Sequence, residues 1–156
     1  MGTENSGGYF EDVVLGAEYL TPTRTITEAD VQTFADFSGD HHPIHMDEAY
    51  ARTTPYGRRV VHGLLGLAII EGLRLQIPEI HAVRDTVSLG WTWNFKGPIF
   101  IGDTVRLRIR IHGKRETSRG DRGVVTEAVQ MQNQRGEVVQ EGEHITMVWK
   151  RPGGQK

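Results

Sequence analysis

The chain has 156 residues, of which 37% are hydrophobic and 24% are charged, and its formal net charge is -2. This length fits one domain with a real core, and the composition is that of a soluble globular protein. The charge gives no basis for nucleic-acid binding, which usually needs a basic surface. Because the chain has no cysteine, disulfides, thiolate metal sites and a cysteine nucleophile are excluded.

The two ends of the chain differ from its middle. Residues 1–8 are polar and rich in glycine, without the basic and apolar regions of a signal peptide, and we expect a disordered tail there. Residues 151–156 are predicted to form a C-terminal tail, so that residues 9–150 make one domain. The longest apolar run, residues 64–70, is far shorter than the roughly 20 residues of a membrane span. We therefore expect a cytoplasmic protein that does not contact a membrane.

The first half of the chain has helical signals. Residues 9–20 are predicted to be an entry segment with a turn, and residues 24–26 a brief strand. Thr27 is typical of a helix N-cap, and acidic residues in the next turn suit the helix dipole. Gly39 is a natural C-terminal breaker for this helix. Its apolar stripe at helical spacing consists of Val31, Phe34, Ala35 and Phe37.

A longer helix is predicted after two loops. Pro43 disfavours helix at the preceding residue, so residues 40–44 are predicted to be a loop, followed by a short helix at 46–53 and a loop at 54–59. Residues 62–77 form the main helix, which Pro78 ends. Its first turns are apolar on nearly every side, so other structure should surround it. Glycines at three positions of this helix indicate close approach of a sheet or a ligand. These are Gly63, Gly66 and Gly72.

In the second half, the hydrophobic period changes from helical to two. Residues 87–95 alternate in polarity and are predicted to be a half-buried strand, with Trp91 and Trp93 in the core. Strands are also predicted at 105–112, 124–133 and 138–150, joined by a hairpin connection at 115–123 and a turn at 134–137. The arginines of the first of these strands form a solvated face, and contact with a phosphate is the alternative. They are Arg106, Arg108 and Arg110.

These elements predict an α+β domain in which a curved antiparallel sheet wraps a central helix. Such a sheet has an edge strand that must be covered or paired. A homodimer with a continuous sheet is therefore expected.

Asp40 and His45 are the candidate catalytic residues. A loop turned by Pro43 brings a carboxylate and an imidazole toward one point, where they can share a water and act as a general acid and base. The structural alternative is that Asp40 caps a turn and His45 caps the following helix. A metal site is a third use of this stretch, because it holds several nominal ligands. Two of its histidines are adjacent and point apart, and no fixed metal-binding template is present, so we predict no metal. The nominal ligands are Asp40, His41, His42, His45 and Asp47.

His62 and Gly63 stand at the start of the main helix and are predicted to bind substrate. Free backbone N–H groups and the helix dipole suit an anion or a developing oxyanion there. The alternative is that Gly63 is a packing glycine and His62 a helix cap. Glu71 interrupts the apolar helix and is predicted to reach solvent.

Together these residues resemble the MaoC-like acyl dehydratases, which include the R-specific enoyl-CoA hydratases. The resemblance is carried by residues 38–40 with Pro43, Ile44 and His45, by residues 61–63, and by the 95–98, 102–103 and 133–137 segments. It implies a hot-dog fold, with the sheet around the 62–77 helix, and a homodimer or higher assembly with active sites near the subunit interface. It also implies that Asp40 and His45 are the catalytic pair and that the Gly63 N–H meets the thioester oxygen. His42 departs from the family, which usually has asparagine before the proline.

The resemblance further implies a hydro-lyase that adds water reversibly to a 2-enoyl-CoA and gives a 3-hydroxyacyl-CoA. The partner is then a small acyl-CoA or acyl-carrier thioester, with CoA as part of the substrate and no metal or redox cofactor. Thioester hydrolysis is an alternative reaction, because fold does not settle function. A non-catalytic acyl-CoA-binding module is the alternative of another class.

Overall fold

The computed structural model describes residues 8–83 and 86–153. The predicted disorder of residues 1–8 therefore lies outside the described residues except at Gly8, whose N–H donates to the carbonyl of Ala82 at 2.6 Å. After a 3-10 turn at Phe10–Asp12, the helices are α1 (Glu28–Ser38), α2 (Pro43–Met46), α3 (Glu48–Arg52), α4 (Gly63–Arg74) and α5 (Pro78–His81). The strands are β1 (Glu18–Leu20), β2 (Arg24–Thr25), β3 (Val87–Phe95), β4 (Thr104–Glu116), β5 (Arg122–Gln132) and β6 (Val138–Trp149).

In the part of the chain that the structure describes, one antiparallel sheet covers α4. Its strand order is β1-β4-β5-β6-β3, and β2 pairs with β4 beside this path. Inward residues of β4, among them Val105, Leu107 and Ile109, are fully buried in one cluster with Ile70 of α4. The alternating arginines of β4 are exposed, which confirms the predicted solvated face. The predicted α+β architecture, with a sheet around a central helix, is thus confirmed.

The start and the end of α1 follow from its sequence. The Thr27 hydroxyl accepts from the Asp30 N–H at 3.2 Å, and the Asp30 carboxylate accepts from the Thr27 N–H at 2.8 Å, so both residues satisfy the free N–H groups of the first turn. Gly39 ends the helix with φ of 80°, a left-handed conformation that glycine adopts without strain. Val31 and Ala35 are buried as predicted. Phe37 is 89% exposed, because it lies about 240° around the helix from Val31.

The short helices and α4 differ from the predicted bounds. Pro43 begins a helix, because the first helical position needs no N–H donor. The expected loop at 40–44 is therefore shorter. Asp47 caps α3 by accepting from the Tyr50 N–H, which divides the single helix expected at 46–53 into two. The main helix ends at Arg74 rather than at residue 77, and Pro78 starts α5.

A β-bulge in β3 changes which residues face the core. Its pairing with β6 shifts register between Ser88 and Gly90, and an extra residue at this point reverses the direction of the side chains before it. Trp91 and Trp93 pack against the core, as predicted. Val87 and Leu89 are 47% and 53% exposed, so strict alternation placed them on the wrong face. The short strand β1, which sequence analysis treated as an entry segment, pairs with β4.

Candidate active site

A cavity of about 440 Å³ lies where the α1–α2 loop meets the start of α4. The loop delivers Asp40, α2 delivers His45, and the helix terminus delivers Gly63. All the residues predicted for the site therefore lie at one place in the fold. The cavity is lined by Asp40, His45, Tyr56, Val60, Val61, His62, Gly63, Leu64, Phe95, Lys96, Gly97, Pro98, Ile99 and Gln140.

Asp40 and His45 face each other across this cavity. The distance from Asp40 Oδ2 to His45 Nε2 is 4.0 Å, and the two side chains are 49% and 15% exposed. Asp40 Oδ1 also accepts from the His42 N–H at 3.2 Å. Asp40 therefore caps the turn, as the structural alternative predicted, and it also faces His45. The second carboxylate oxygen lies on the side of the imidazole, at a separation that a shared water molecule can bridge.

His45 is fixed in one tautomer by the backbone. Its Nδ1 lies 2.7 Å from the carbonyl oxygen of Val60; since a carbonyl only accepts, Nδ1 carries the hydrogen and Nε2 is left facing Asp40. Burial lowers the pKa of His45, and the nearby His62 ring adds to this effect, although the Val60 carbonyl and Asp40 oppose it. At neutral pH the Nε2 atom therefore presents a lone pair. His45 does not cap the following helix, since Asp47 does so.

His62 contacts both Asp40 and His45. Its ring is 1% exposed, and its Nε2 donates to the carbonyl oxygen of Asp40 at 2.9 Å. The ring also stacks on His45, with centroids 4.0 Å apart, and contacts the Phe34 ring at 4.9 Å. His62 is the N-cap residue of α4 but makes no side-chain capping bond. These contacts place it beside the cavity and against both catalytic candidates, and its predicted role in binding substrate stays a prediction.

Gly63 combines a free helix terminus with close packing. It is the first residue of α4, where N–H groups have no partner within the helix. A Cβ atom at this position would lie 2.9 Å from the Phe95 ring, so the packing alternative holds as well. The absence of a side chain leaves the first backbone amide of the helix at the cavity wall.

Arg59 is a site-supporting residue whose role the sequence did not indicate. Its Nε donates to the carbonyl oxygen of His45 at 2.5 Å, and its guanidinium binds both carboxylate oxygens of Glu28 at 2.8 and 3.1 Å. One side chain thus ties α2 to the start of α1. An arginine in a loop gives no sequence signal for a partner 31 residues away.

His42 caps the N-terminus of α2. Its Nδ1 accepts from the Ile44 N–H at 3.2 Å at the start of α2. Asparagine, the usual family residue, is also a favoured N-cap because its side-chain oxygen accepts such a bond. The departure from the family therefore preserves the local hydrogen bond that orients the loop.

The donor set does not suit a metal ion. Asp40, His45 and His62 each offer one possible ligand atom, and these three atoms lie within 4.8 Å of one another. The two imidazoles, however, are stacked with planes 29° apart, so their in-plane lone pairs do not converge as a tetrahedral site requires. One nitrogen of each ring is also bound to a backbone carbonyl. The expectation of a metal-free site stays a prediction with this geometric support.

A second polar group lies at the other end of α4. Arg74 and Glu127 form a buried ion pair with two hydrogen bonds of 2.6 and 2.8 Å. Burial acts to raise the pKa of Glu127, but the hydrogen bonds from Arg74, together with the nearby His144 ring, outweigh it and hold this pKa low. Glu71 is 41% exposed and lies 3.4 Å from His144, so it reaches solvent as predicted while also joining this group. The sequence did not indicate the Arg74–Glu127 pairing.

A model of the MaoC like domain matches residues 12–133. The chain belongs to this family. An (R)-specific enoyl-CoA hydratase of Rhodospirillum rubrum is 37% identical over 106 residues, which cover 67% of this chain and 70% of that protein. A 3-hydroxybutyryl-CoA dehydratase of Methylorubrum extorquens is 36% identical over 106 residues, which cover 66% of this chain and 63% of that protein. The matched part of the chain therefore spans a little under two thirds of that dehydratase.

Solved structures agree with this membership. The MaoC-like dehydratase from Rhodospirillum rubrum has a TM-score of 0.83 at 26% identity, covering 94% of this chain and 99% of that one. A Mycobacterium tuberculosis protein described as having a double hot-dog fold has a TM-score of 0.78 at 16% identity, covering 97% of this chain and 47% of that one, which supports the fold alone. The predictions of a hot-dog fold and of a MaoC-like enzyme are thus confirmed. Among the described residues, no helix has the length and hydrophobicity to cross a bilayer.

Proposed function

We propose that this enzyme adds water reversibly to a 2-enoyl thioester and forms the 3-hydroxyacyl thioester. The observation that carries the proposal is the Asp40–His45 pair, which faces a cavity beside the N-terminus of α4. A hydration needs a base for the water, a proton for C2 and a donor for the thioester oxygen, and these three groups can supply them. Two relatives named as an enoyl-CoA hydratase and a 3-hydroxybutyryl-CoA dehydratase support the same reaction class.

The catalytic water lies between Asp40 Oδ2 and His45 Nε2 in this proposal. The carboxylate accepts one hydrogen bond from the water and orients it, while the neutral Nε2 takes the other proton as the oxygen attacks C3. The resulting imidazolium is stabilised by the carboxylate 4.0 Å away. It then gives its proton to C2, so that both side chains return to their starting protonation states. Dehydration follows the same steps in reverse.

Gly63 supplies the electrostatic part of the proposed mechanism. As water adds at C3, negative charge develops on the thioester oxygen, and the free N–H at the start of α4 stabilises it together with the helix dipole. Loss of one such donor in another enzyme costs about 2.7–4 kcal/mol of transition-state stabilisation. The proposed mechanism requires no metal or redox cofactor, and CoA enters as part of the substrate.

The deciding experiment follows the enoyl-thioester absorbance with crotonyl-CoA. We expect the wild-type protein to remove the absorbance, and Asp40→Asn and His45→Gln each to lose at least about a hundredfold in rate, which is the usual size of a general acid–base contribution. Asp36→Asn is a matched control, because Asp36 is an exposed carboxylate near the same loop. Undiminished hydration by Asp40→Asn would end the assignment. Release of free CoA thiol by the wild type would indicate thioester hydrolysis instead.

We further propose that two copies of the chain pair through β3. This strand is at the edge of the sheet, and an edge offers unpaired backbone groups to a partner. Val87 and Leu89 are exposed on the strand, as are Phe95 and, near its end, Leu64 at the cavity. A two-fold contact here would cover these apolar side chains and place the two catalytic cavities near the interface.

A further inference from the structure

Gln140 forms a buried wall of the catalytic cavity. It is 1% exposed and lines the cavity together with Asp40, His45 and Gly63. Its Oε1 accepts from the indole N–H of Trp93 at 3.0 Å, and its Nε2 donates to the carbonyl oxygen of Gly63 at 3.0 Å. The amide therefore connects β3 and β6 to the first turn of α4, and both hydrogen bonds hold it across the gap between helix and sheet.

Gly66 makes room for this amide. A Cβ atom at position 66 would lie 2.3 Å from Gln140 Nε2, a distance that the amide could not tolerate without moving. The glutamine thus packs directly against the α4 backbone, one turn after the amide proposed to bind the thioester oxygen. An acyl group that extends from the reacting carbons along α4 meets Gln140 first.

Behind Gln140, the space between α4 and the sheet holds paired polar and aromatic side chains. His144, four residues further along β6, stacks on Trp91 with centroids 3.8 Å apart. Its ring nitrogens lie 3.4 Å from Glu71 and 3.5 Å from Glu127, and Glu127 in turn binds Arg74. An alkyl chain that passed Gln140 would disturb the buried ion pair of Arg74 and Glu127, which is strongly unfavourable.

We propose that Gln140 sets the length of the acyl group and restricts this enzyme to short-chain enoyl thioesters of the crotonyl type. This inference rests on the proposed hydratase function and names the substrate class of the same site. The glutamine acts by occupying space, and its two hydrogen bonds keep it in place. Gln140 blocks a longer acyl chain sterically, so the reacting carbons of that substrate do not reach the water between Asp40 and His45.

The test compares kcat/KM for crotonyl-CoA, hexenoyl-CoA and octenoyl-CoA in wild type, Gln140→Ala and Gln140→Met. We expect wild type to lose at least about tenfold between the shortest and the longest substrate, the size of effect that one excess methylene has in a closed pocket. Gln140→Ala should raise the hexenoyl-to-crotonyl ratio by at least about tenfold, because the shorter chain can fill the space of the removed side chain without reaching the polar groups behind it. Gln140→Met keeps the length of the side chain without its amide, and it should keep the wild-type preference.

The outcomes separate the two proposals. Equal wild-type rates on all three substrates would overturn the length limit and leave the hydratase function standing. An unchanged ratio in Gln140→Ala would overturn the role of Gln140. Absence of hydration with every substrate would overturn the hydratase function, and the length limit with it. If thermal unfolding shows that Gln140→Ala is not folded, Gln140→Val provides a smaller opening, and the wild-type series still decides the length limit.

Discussion

The imidazole rings of His45 and His62 lie face to face, with their centroids 4.0 Å apart and their planes 29° apart. Each ring also donates one N–H to a backbone carbonyl, His45 to Val60 and His62 to Asp40. The orientation of the His45 imidazole, the proposed base, therefore depends on a second, buried imidazole and on two carbonyl groups. This arrangement holds the Asp40–His45 pair before any substrate is bound, which is the condition for electrostatic preorganisation.

His62→Phe should reduce kcat by about tenfold, the equivalent of one ordinary hydrogen bond. Phenylalanine keeps the aromatic contacts with Phe34 and His45 but cannot donate to the Asp40 carbonyl, so the loop carrying Asp40 loses its support. KM should change little. Steady-state kinetics with crotonyl-CoA separates the two constants, and His62→Gln, which retains a side-chain N–H donor, should recover part of the rate. Full kcat in His62→Phe would show that this bond does not position Asp40.

The dependence of kcat/KM on pH should report the lowered pKa of His45. Burial favours its neutral form, so the rate should stay high at pH 7 and fall on an acid limb whose midpoint lies below the ordinary value of about 6.5. The same shift affects stability: a depressed folded pKa contributes stability above the ordinary value, and this contribution is lost as pH falls through the folded pKa. A pH–rate series from acid to neutral tests the limb, which should be absent from the residual activity of His45→Gln. A midpoint above the ordinary value would contradict the neutral-base role.

Glu127→Gln should lower the free energy of unfolding by about 3–5 kcal/mol, because it leaves the buried Arg74 charge without its partner. The double variant Arg74→Met with Glu127→Leu should recover much of this loss, since no unpaired charge remains. Urea unfolding measures both. Because the pKa of Glu127 is held low, the contribution of the pair should be present at neutral pH and disappear as pH falls below the ordinary range of glutamate.

The matched control for this pair is Glu137→Gln, which breaks an exposed ion pair with Arg135 at 2.7 Å. It should leave unfolding nearly unchanged, because solvent screens exposed pairs. Activity of Glu127→Gln on crotonyl-CoA should persist wherever the protein remains folded, since Glu127 lies behind Gln140. Equal destabilisation by both variants would show that burial does not determine how much the Arg74–Glu127 pair contributes to the free energy of unfolding.

Chelation should leave activity unchanged. The stacked rings of His45 and His62 do not converge on a point that a metal ion could occupy, and the proposed reaction uses only side-chain and backbone groups. The check is the crotonyl-CoA rate after prolonged incubation with EDTA and removal of the chelator. Loss of activity that added Zn²⁺ or Mg²⁺ restores would overturn the metal-free prediction.

Leu89→Lys should convert the proposed dimer to a monomer. The charged side chain would lie on the exposed face of the edge strand, where lysine opposes pairing with another strand. Sedimentation velocity of the wild type and the variant measures the change. Leu15→Lys is the matched control, because Leu15 is 59% exposed, Leu89 is 53% exposed, and Leu15 lies outside β3. This variant should keep the oligomeric state of the wild type. A monomeric wild type at micromolar concentration would contradict the assembly.

Local sequence patterns predicted the elements that obey simple rules. The capping residues Thr27 and Gly39 bounded α1, and the alternation in β4 gave its buried and exposed faces correctly. The prediction was less accurate where tertiary packing decides. Pro43 could disfavour a helix or begin one, and only the fold selects the second.

The catalytic candidates could be found because Asp40 and His45 are close in sequence and match a known pattern. Their supports could not be found in the same way. The bonds from Arg59 to Glu28 and from Arg74 to Glu127 join residues 31 and 53 positions apart, and the role of His62 depends on a ring stack that forms only after α4 has docked. No periodicity in a single sequence encodes such contacts.

The bulge in β3 also makes the length of that strand a determinant of its chemistry. Because of the extra residue, Ser88 rather than a neighbouring leucine approaches His144, with Ser88 Oγ 2.9 Å from Nε2. Deleting Ser88 would move Val87 into its place opposite Thr146, on the face of the strand that carries Trp91, while the bulge stays at Leu89. Deletion of this one residue would thus exchange polar for apolar contacts at the far end of α4, although all the proposed catalytic residues would remain in the chain. Insertions and deletions in β3 are therefore expected to be tolerated less well than substitutions on its exposed face.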